Sequence, residues 1–465
     1  MSEQVVNGRS WNESLSGGVG IRIGILCFGT WLHAANSMLA ATTLPSAIRE
    51  IGGGHLIAWA FALYLLGSIL AGAGAGLLAR RFDVRSGMIM AAGFYALGCV
   101  ICAMAPDMTI LLGGRLMQGI GGGFLLALTF VSLHRWFDAD ILPKIMALLS
   151  AVWSASAFCG PLVGGTFSMF GLWRYAFWVF AAQAILFVVL AKIFMPSEVR
   201  VDQNSRTEFP ALRLLLLSIS ILSVAWAGAE IDRYLSPALC ILAAILIGYV
   251  FRLDAKNPQN RMFPSRPMSF ESPVGAGLAF ALWSSFATMS LLVFGPTLLE
   301  TLHGLTPLTA GYLVALESIA WGTAAVIVAG RPESAEKGLI RIGASLVTVG
   351  IAGFAFAMPS GPVWALVLCA LISGAGFGMM WAFVVKRVVT NALSQEKDVA
   401  SSALPTMKQI GLAFGAAAAG IVANTAGFAD GVSVETARIA AFWLFAAFLP
   451  FALWSNIAAW KLSRD

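Results

Sequence analysis

Four ionisable side chains stand deep within long apolar stretches of this sequence: His33, Arg115, Glu317 and Lys408. Arg115 lies in the run LLGGRLMQGIGGG (Leu111–Gly123). A permanent charge at the centre of a helix in hydrocarbon costs about 2.5–3.5 kcal/mol on translocon-type scales, so Arg115 is expected to face a protein interior or a wet cavity. Glu317 is the one carboxylate deep within any apolar stretch. So placed, it reads as a proton switch, as a counter-ion for a cationic substrate, or as a structural partner of Lys408 or Arg115. Thr30, His33, Asn36 and Ser37 recur at helical spacing and form one polar stripe that lipid would not tolerate. Histidine changes charge near physiological pH, so His33 reads either as a proton carrier or as a neutral residue bonded within a bundle. The long stem of Lys408 allows it to snorkel toward an interface.

Trp153, Trp226, Trp283, Trp321 and Trp381 also fall inside apolar stretches. Indole offers flat apolar area and one donor, suited to aromatic or cationic ligands, although any one such residue is more often packing or lipid-facing. Trp321 follows Glu317 by four residues and so shares its helix face. The expected site joins proton coupling at Glu317, His33 and Arg115 to a substrate cavity lined by Asn36, Gln118, Trp153, Trp321, Trp381 and Lys408.

The elements that position these groups follow from composition. Hydrophobic residues make up 59% of the 465 and charged residues 11%, under half the usual share of charged residues in soluble domains. Apolar runs long enough to span a bilayer recur along the chain. They give fourteen spans, at about 21–45, 56–79, 88–106, 109–134, 145–170, 173–195, 212–230, 235–251, 273–300, 306–329, 339–358, 361–385, 400–424 and 436–460. Backbone groups in lipid must be satisfied within each segment, so these are helices and the fold is an all-α polytopic membrane protein.

The net charge of +6 alone would suggest nucleic acid, but position decides otherwise. Of 29 Lys and Arg, 23 fall in or beside connectors on one side. Arg49, Arg174, Arg233 and Arg438 lie on the other, and Arg115 and Lys408 lie within spans. This asymmetry is a topology signal that puts both termini in the cytoplasm and the chain in the cytoplasmic (inner) membrane. Residues 1–20 form a polar cytoplasmic segment and do not read as a secretory n-region, so the first helix is expected to stay in place.

The polar connectors Pro196–Pro210 and Arg252–Ser272 bracket spans seven and eight and leave six helices on either side. The expected division is an N-terminal six-helix half (21–195), a linker carrying two additional helices (196–272) and a C-terminal six-helix half (273–465). Carriers built from repeated halves around a midplane site have this plan. All six cysteines lie in apolar runs, and Cys99 and Cys102 have no second pair or His cluster, so they read as packing and no metal or cofactor is expected.

Several motifs resemble one family. Arg115, Gln118, Gly119, Gly121 and Gly123 form RxxQGxGxG, the fourth-helix motif of the major facilitator superfamily. SAFCGPLVGG (Ser156–Gly165) resembles its fifth-helix antiporter motif through Gly160, Pro161, Gly164 and Gly165, with Ser156 at the leading glycine. Gly160 and Gly164 allow close helix approach, and Pro161 permits a bend. GLLARRFDVRSG (Gly76–Gly87) resembles the loop signature after the second span. There Gly76, Leu78 and Arg81 align, while Arg80 stands at the acidic position and Asp83 at the second glycine. AANSMLAATTLP (Ala34–Pro45), WRYAFWV (Trp173–Val179) and PTMKQIGLAFGAA (Pro405–Ala417) resemble segments of the fourteen-helix drug:proton antiporters, with Asn36 at the acidic position of the first helix.

The resemblance implies a secondary carrier that rocks two halves about a midplane cavity. It implies proton-coupled export of small amphipathic or aromatic molecules, with a lipid bilayer as its setting and a monomer as its unit. Uptake of a flat aromatic nutrient, such as a flavin-like vitamin, is the alternative, and a non-transporting membrane sensor is a second. GIGGGF lacks the strand–turn–helix setting of a phosphate loop and no GxxxxGK[ST] run occurs, so neither ATP nor an enzyme reaction is expected.

Overall fold

The computed structural model describes residues 18–81, 83–137, 141–196, 210–257, 261–329, 331–394 and 396–464. Within them lie fourteen spans long and apolar enough to cross a membrane, as the sequence reading gave. The first six are α1 (Val19–Ile51), α2 (Ile57–Arg81), α3 (Val84–Met104), α4 (Met108–Trp136), α5 (Leu142–Met169) and α6 (Trp173–Phe194). A hairpin follows, α7 (Ala211–Ala229) and α8 (Leu235–Ala255). The rest are α9 (Pro273–His303), α10 (Pro307–Val328), α11 (Glu333–Ala357), α12 (Val363–Thr390), α13 (Lys397–Thr425), and the pair α14 (Val434–Ala446) and α15 (Leu449–Leu462).

Side chains at the helix starts accept the orphan amides. Asp83 accepts from Ser86 N, Asp107 from Ile110 N, Ser272 from Gly275 N and Thr306 from Thr309 N. Pro273 and Pro307 occupy first-turn positions, where no amide is needed. Gly304 closes α9 in the left-handed region at φ 64°.

Two elements differ from expectation. The first span does not stop at Pro45 but continues to Ile51, since one proline removes one hydrogen bond and packed neighbours tolerate it. The fourteenth span is two helices, α14 and α15, broken at Ala447–Phe448 just before Pro450 in the first turn of α15.

Within the first six helices α4 packs on α2 and α3, α1 on α5, and α3 on α6. In the last group α12 packs on α10 and α11, and α9 on α13 and α15. The two groups meet along α5 with α10 and along α2 with α13. Neither α2 with α5 nor α10 with α13 packs along its length. These four helices frame the region between the two groups, with α1 and α4 on one side of it and α9 and α12 on the other.

The α7–α8 hairpin rides outside this seam. Its α7 packs on both α13 and α2, and Trp59 Nε1 donates to Ala225 O at 2.9 Å. Arg213 and Asp254 tie the hairpin together as a buried ion pair, and Asp254 also accepts from Met262 N and Phe263 N, each at 2.8 Å.

Candidate functional site

A glycine ladder repeated in the two groups fixes the site helices. In α4, Gly119 lies against the backbone of Tyr64 and Gly123 against Ser68, both on α2, while Gly121 lies against Ala91 and Tyr95 on α3. In α12, Gly374 lies against the backbone of Glu317 and Gly378 against Trp321, both on α10, while Gly376 lies against Gly343 on α11. The two GxGxG runs thus hold corresponding helices at backbone contact. Glu317 takes in the second half the place Tyr64 has in the first, and Trp321 that of Ser68.

Around the first ladder a polar cluster forms on α1–α4. Arg115 is fully buried. Its Nε donates to Ala60 O at 3.1 Å, and its Nη1 donates to Gln118 Oε1 at 2.7 Å and to Asn36 Oδ1. Its carbon Cζ stands 4.5 Å from the Tyr64 ring centroid, and Nη2 is buried without a partner. No carboxylate pairs with it among the described residues. Hydrogen bonds from a charged donor contribute about 1.5–3 kcal/mol each and a desolvated cation–π contact about 2 kcal/mol, together enough to offset the cost of the buried charge.

Asn36 Nδ2 donates to Tyr95 OH at 2.9 Å, which donates in turn to Leu32 O at 2.8 Å. Gln118 Nε2 reaches Cys99 Sγ at 3.1 Å. The Tyr64 hydroxyl donates to His33 O at 2.9 Å and lies 3.0 Å from His33 Nδ1. If the hydroxyl proton goes to the carbonyl, the hydroxyl accepts from Nδ1–H and Nε2 is the nitrogen open to a proton. The His33 ring also meets Trp153 edge-on, centroids 6.0 Å apart, and Trp153 on α5 is 46% exposed.

The second half carries two separate polar sites. Glu317 Oε1 accepts from Ser373 Oγ at 2.6 Å, and its carboxyl opens onto a small recess of α9, α11, α12 and α14 lined by Thr288, Ile351, Phe354 and Phe445 among others. One turn further, Trp321 stacks on Phe377 with centroids 5.3 Å apart and meets Trp381 at 6.1 Å. Lys408 on α13 reaches toward α10 and α12, its Nζ 4.4 Å from the Trp321 centroid and 5.0 Å from that of Trp381. All three are partly exposed. Among the described residues neither Glu317 nor Lys408 joins an ion pair, so the structural pairing of Glu317 with Lys408 or Arg115 is not formed.

The fifth-helix motif sits where the halves touch. Gly160 and Gly164 press on α1 at Met38 and Thr42, whereas Gly165 meets Leu308 of α10 and Pro161 flanks Gly311 of α10. On the face away from the chain ends, Arg49 Nη1 pairs with Glu300 Oε2 at 2.7 Å across the seam, and Asn424 Nδ2 donates to His55 O at 2.8 Å. Of the connector motif, Gly76, Arg80 and Arg81 close α2, and their side chains lie outside the described residues, as does that of Ser37.

Asn36 and Gln118, expected to line the substrate cavity, are fully buried in this cluster with Arg115, and sequence reasoning missed Tyr64 and Tyr95, which join them. Their being tyrosines in apolar spans was a weak signal, because five of the six tyrosines fall in such spans.

The comparisons with known proteins agree with this architecture. A probable multidrug-efflux transporter of Mycobacterium tuberculosis (strain H37Rv) is 30% identical over all of this chain and 98% of its own length. A riboflavin transporter of Clostridioides difficile is 22% identical over 84% of this chain and 86% of its own. In fold, a peptide transporter solved with alafosfalin superposes with a TM-score of 0.69 at 15% identity, covering 95% of each chain. The model of the Major Facilitator Superfamily matches residues 26–416, and the chain belongs to that superfamily as a transporter rather than an enzyme.

Proposed function

We propose that the protein is a proton-coupled exporter of small amphipathic or aromatic molecules, working by alternating access in the cytoplasmic membrane with both termini inside. The observation that carries this reading is the meeting of two six-helix groups along α5 with α10 and α2 with α13, with Trp153, Trp321, Trp381 and Lys408 at least partly exposed on α5, α10, α12 and α13. The multidrug-efflux relative at 30% identity supports the substrate class. Arg49–Glu300 and the contacts of Gly165 and Gly311 lie toward the face away from the termini, which supports a state closed to the outside.

His33, through Nε2, and Glu317, in its recess, are the groups able to exchange a proton during the cycle, one in each half. Arg115 holds a fixed positive charge behind His33. The domain division at 21–195, 196–272 and 273–465 fits this scheme, because the helix pairs that pack most extensively fall inside the first and last segments.

The test is accumulation of labelled aromatic compounds in cells with and without the protein. Lower accumulation, restored by an uncoupler, is the expected outcome, and no difference for any compound overturns the reading. The riboflavin relative favours a second reading, uptake of a flat nutrient, which predicts higher accumulation of a flavin instead.

A further inference from the structure

We infer that the molecule carried bears an anionic group, most simply a carboxylate on an aromatic ring system, and that this group seats on the Lys408 ammonium between the two groups of helices. The inference rests on the carrier reading above and narrows its substrate class.

Two indole faces with a partly exposed setting would ordinarily suit a cationic ligand. Here both faces are already taken by the protein's own cation, since Lys408 Nζ stands 4.4 Å from the Trp321 centroid and 5.0 Å from that of Trp381. Trp321 is further covered on Phe377. What the site offers a ligand is therefore the donors of an ammonium, and an ammonium has three donors and no acceptor. Among the described residues no carboxylate pairs with it. Glu317, one turn before Trp321 on α10, is turned into a recess of its own and bonded to Ser373.

The opposite wall adds no anion. His33 and Trp153 are there, and the charge behind them is the guanidinium of Arg115, which contacts neutral acceptors and one ring. Lys408 is thus the partly exposed cation between the groups, while Arg115 is fully buried among its own partners. A ligand anion would complete the Lys408 site with charge-assisted bonds, while the exposed edges of Trp381 and Trp153 offer apolar area to its rings.

The experiment compares three ligands with the same rings, naphthoate, naphthamide and naphthylmethylammonium. Each is measured by equilibrium dialysis against the purified full-length protein and by flux in proteoliposomes. Naphthoate is expected to bind about tenfold or more tighter than the other two. Lys408→Met is expected to bring naphthoate affinity down to that of naphthamide, and Lys408→Arg to retain most of the preference. If Lys408→Met no longer elutes like the parent protein, Lys408→Gln takes its place.

Equal or tighter binding of the ammonium compound, an unchanged naphthoate affinity in Lys408→Met, or binding of none of the three overturns the inference. The carrier reading is scored separately. Uncoupler-sensitive flux of any of the three upholds it even without a naphthoate preference. Lys408-dependent binding of naphthoate with no flux of any compound overturns the carrier reading alone.

Discussion

Alanine at Gly114 is expected to destabilise the bundle, while the same change at its neighbour Gly113 is not, and the difference can be worked from the packing. A methyl group at Gly114 would lie 2.6 Å from Cys102 Sγ, 2.8 Å from Gly98 O and 3.0 Å from Cys102 N. Backbone atoms cannot rotate away, so α3 and α4 must part by about half an ångström, and overpacking of this kind costs roughly 1–3 kcal/mol. Alanine returns up to about 1 kcal/mol through helix propensity. At Gly113 nothing stands within 4 Å, and only the propensity gain operates. Subtracting one variant from the other cancels that gain and leaves the steric cost of about 1–3 kcal/mol. Thermal unfolding of the two purified variants in one detergent reads the comparison directly. Gly114→Ala should unfold several degrees below Gly113→Ala, which itself should unfold at or above the parent. A midpoint for Gly114→Ala equal to or above that of Gly113→Ala would refute the account of close backbone contact between α3 and α4.

Three further outcomes are expected. Glu317→Gln keeps an acceptor for Ser373 and should insert normally, yet lose uncoupler-sensitive flux; unchanged flux removes Glu317 from coupling. His33→Ala leaves Tyr64 without its ring partner and should change the pH profile of transport, so an identical profile assigns His33 to packing. Arg49→Ala breaks the pair with Glu300, which is worth up to about 1 kcal/mol because Arg49 is 57% exposed. That corresponds to about a fivefold shift in the open-to-closed ratio, read as faster labelling of a cysteine placed at Thr297, in the recess beside the pair. An unchanged labelling rate would show that the pair does not help to close the seam.

Much of the architecture was legible because the bilayer imposes it. The fourteen spans follow from length and hydropathy, which are local properties of sequence, and so does the need to shelter Arg115. Partners across helices are not local. Nothing in the spacing of residues 317 and 408 says that a carboxyl turns toward Ser373 while an ammonium turns toward Trp321. Periodicity gave Glu317 and Trp321 one face, and both do meet α12, but one turn of helix separates the recess holding Glu317 from the stacked rings of Trp321 and Phe377. The break before Pro450 was likewise hidden, since the hydrophobic run continues through it. The correspondence of Tyr64 with Glu317 was readable in principle from the two GxGxG runs at 119–123 and 374–378, but the sequence does not say which helix each glycine faces.

The glycine ladders also have a mechanical meaning. Where a helix touches its neighbour through bare backbone, no flexible side chain lies between them to compress or re-rotamer, so the joint is stiff. The α2–α4–α3 and α10–α12–α11 triplets are joined in this way and should behave as rigid plates. Compliance must then reside where the plates are hinged, along α5 and α10. There Gly311 faces the side chains of Thr42 and Pro161, and a Cβ on Gly322 would lie 3.0 Å from Ser154 Oγ. Small residues at a stiff joint fix its shape. At the seam they leave a smooth bearing on which one plate can turn over the other, so the same amino acid serves as weld and as hinge surface in one molecule.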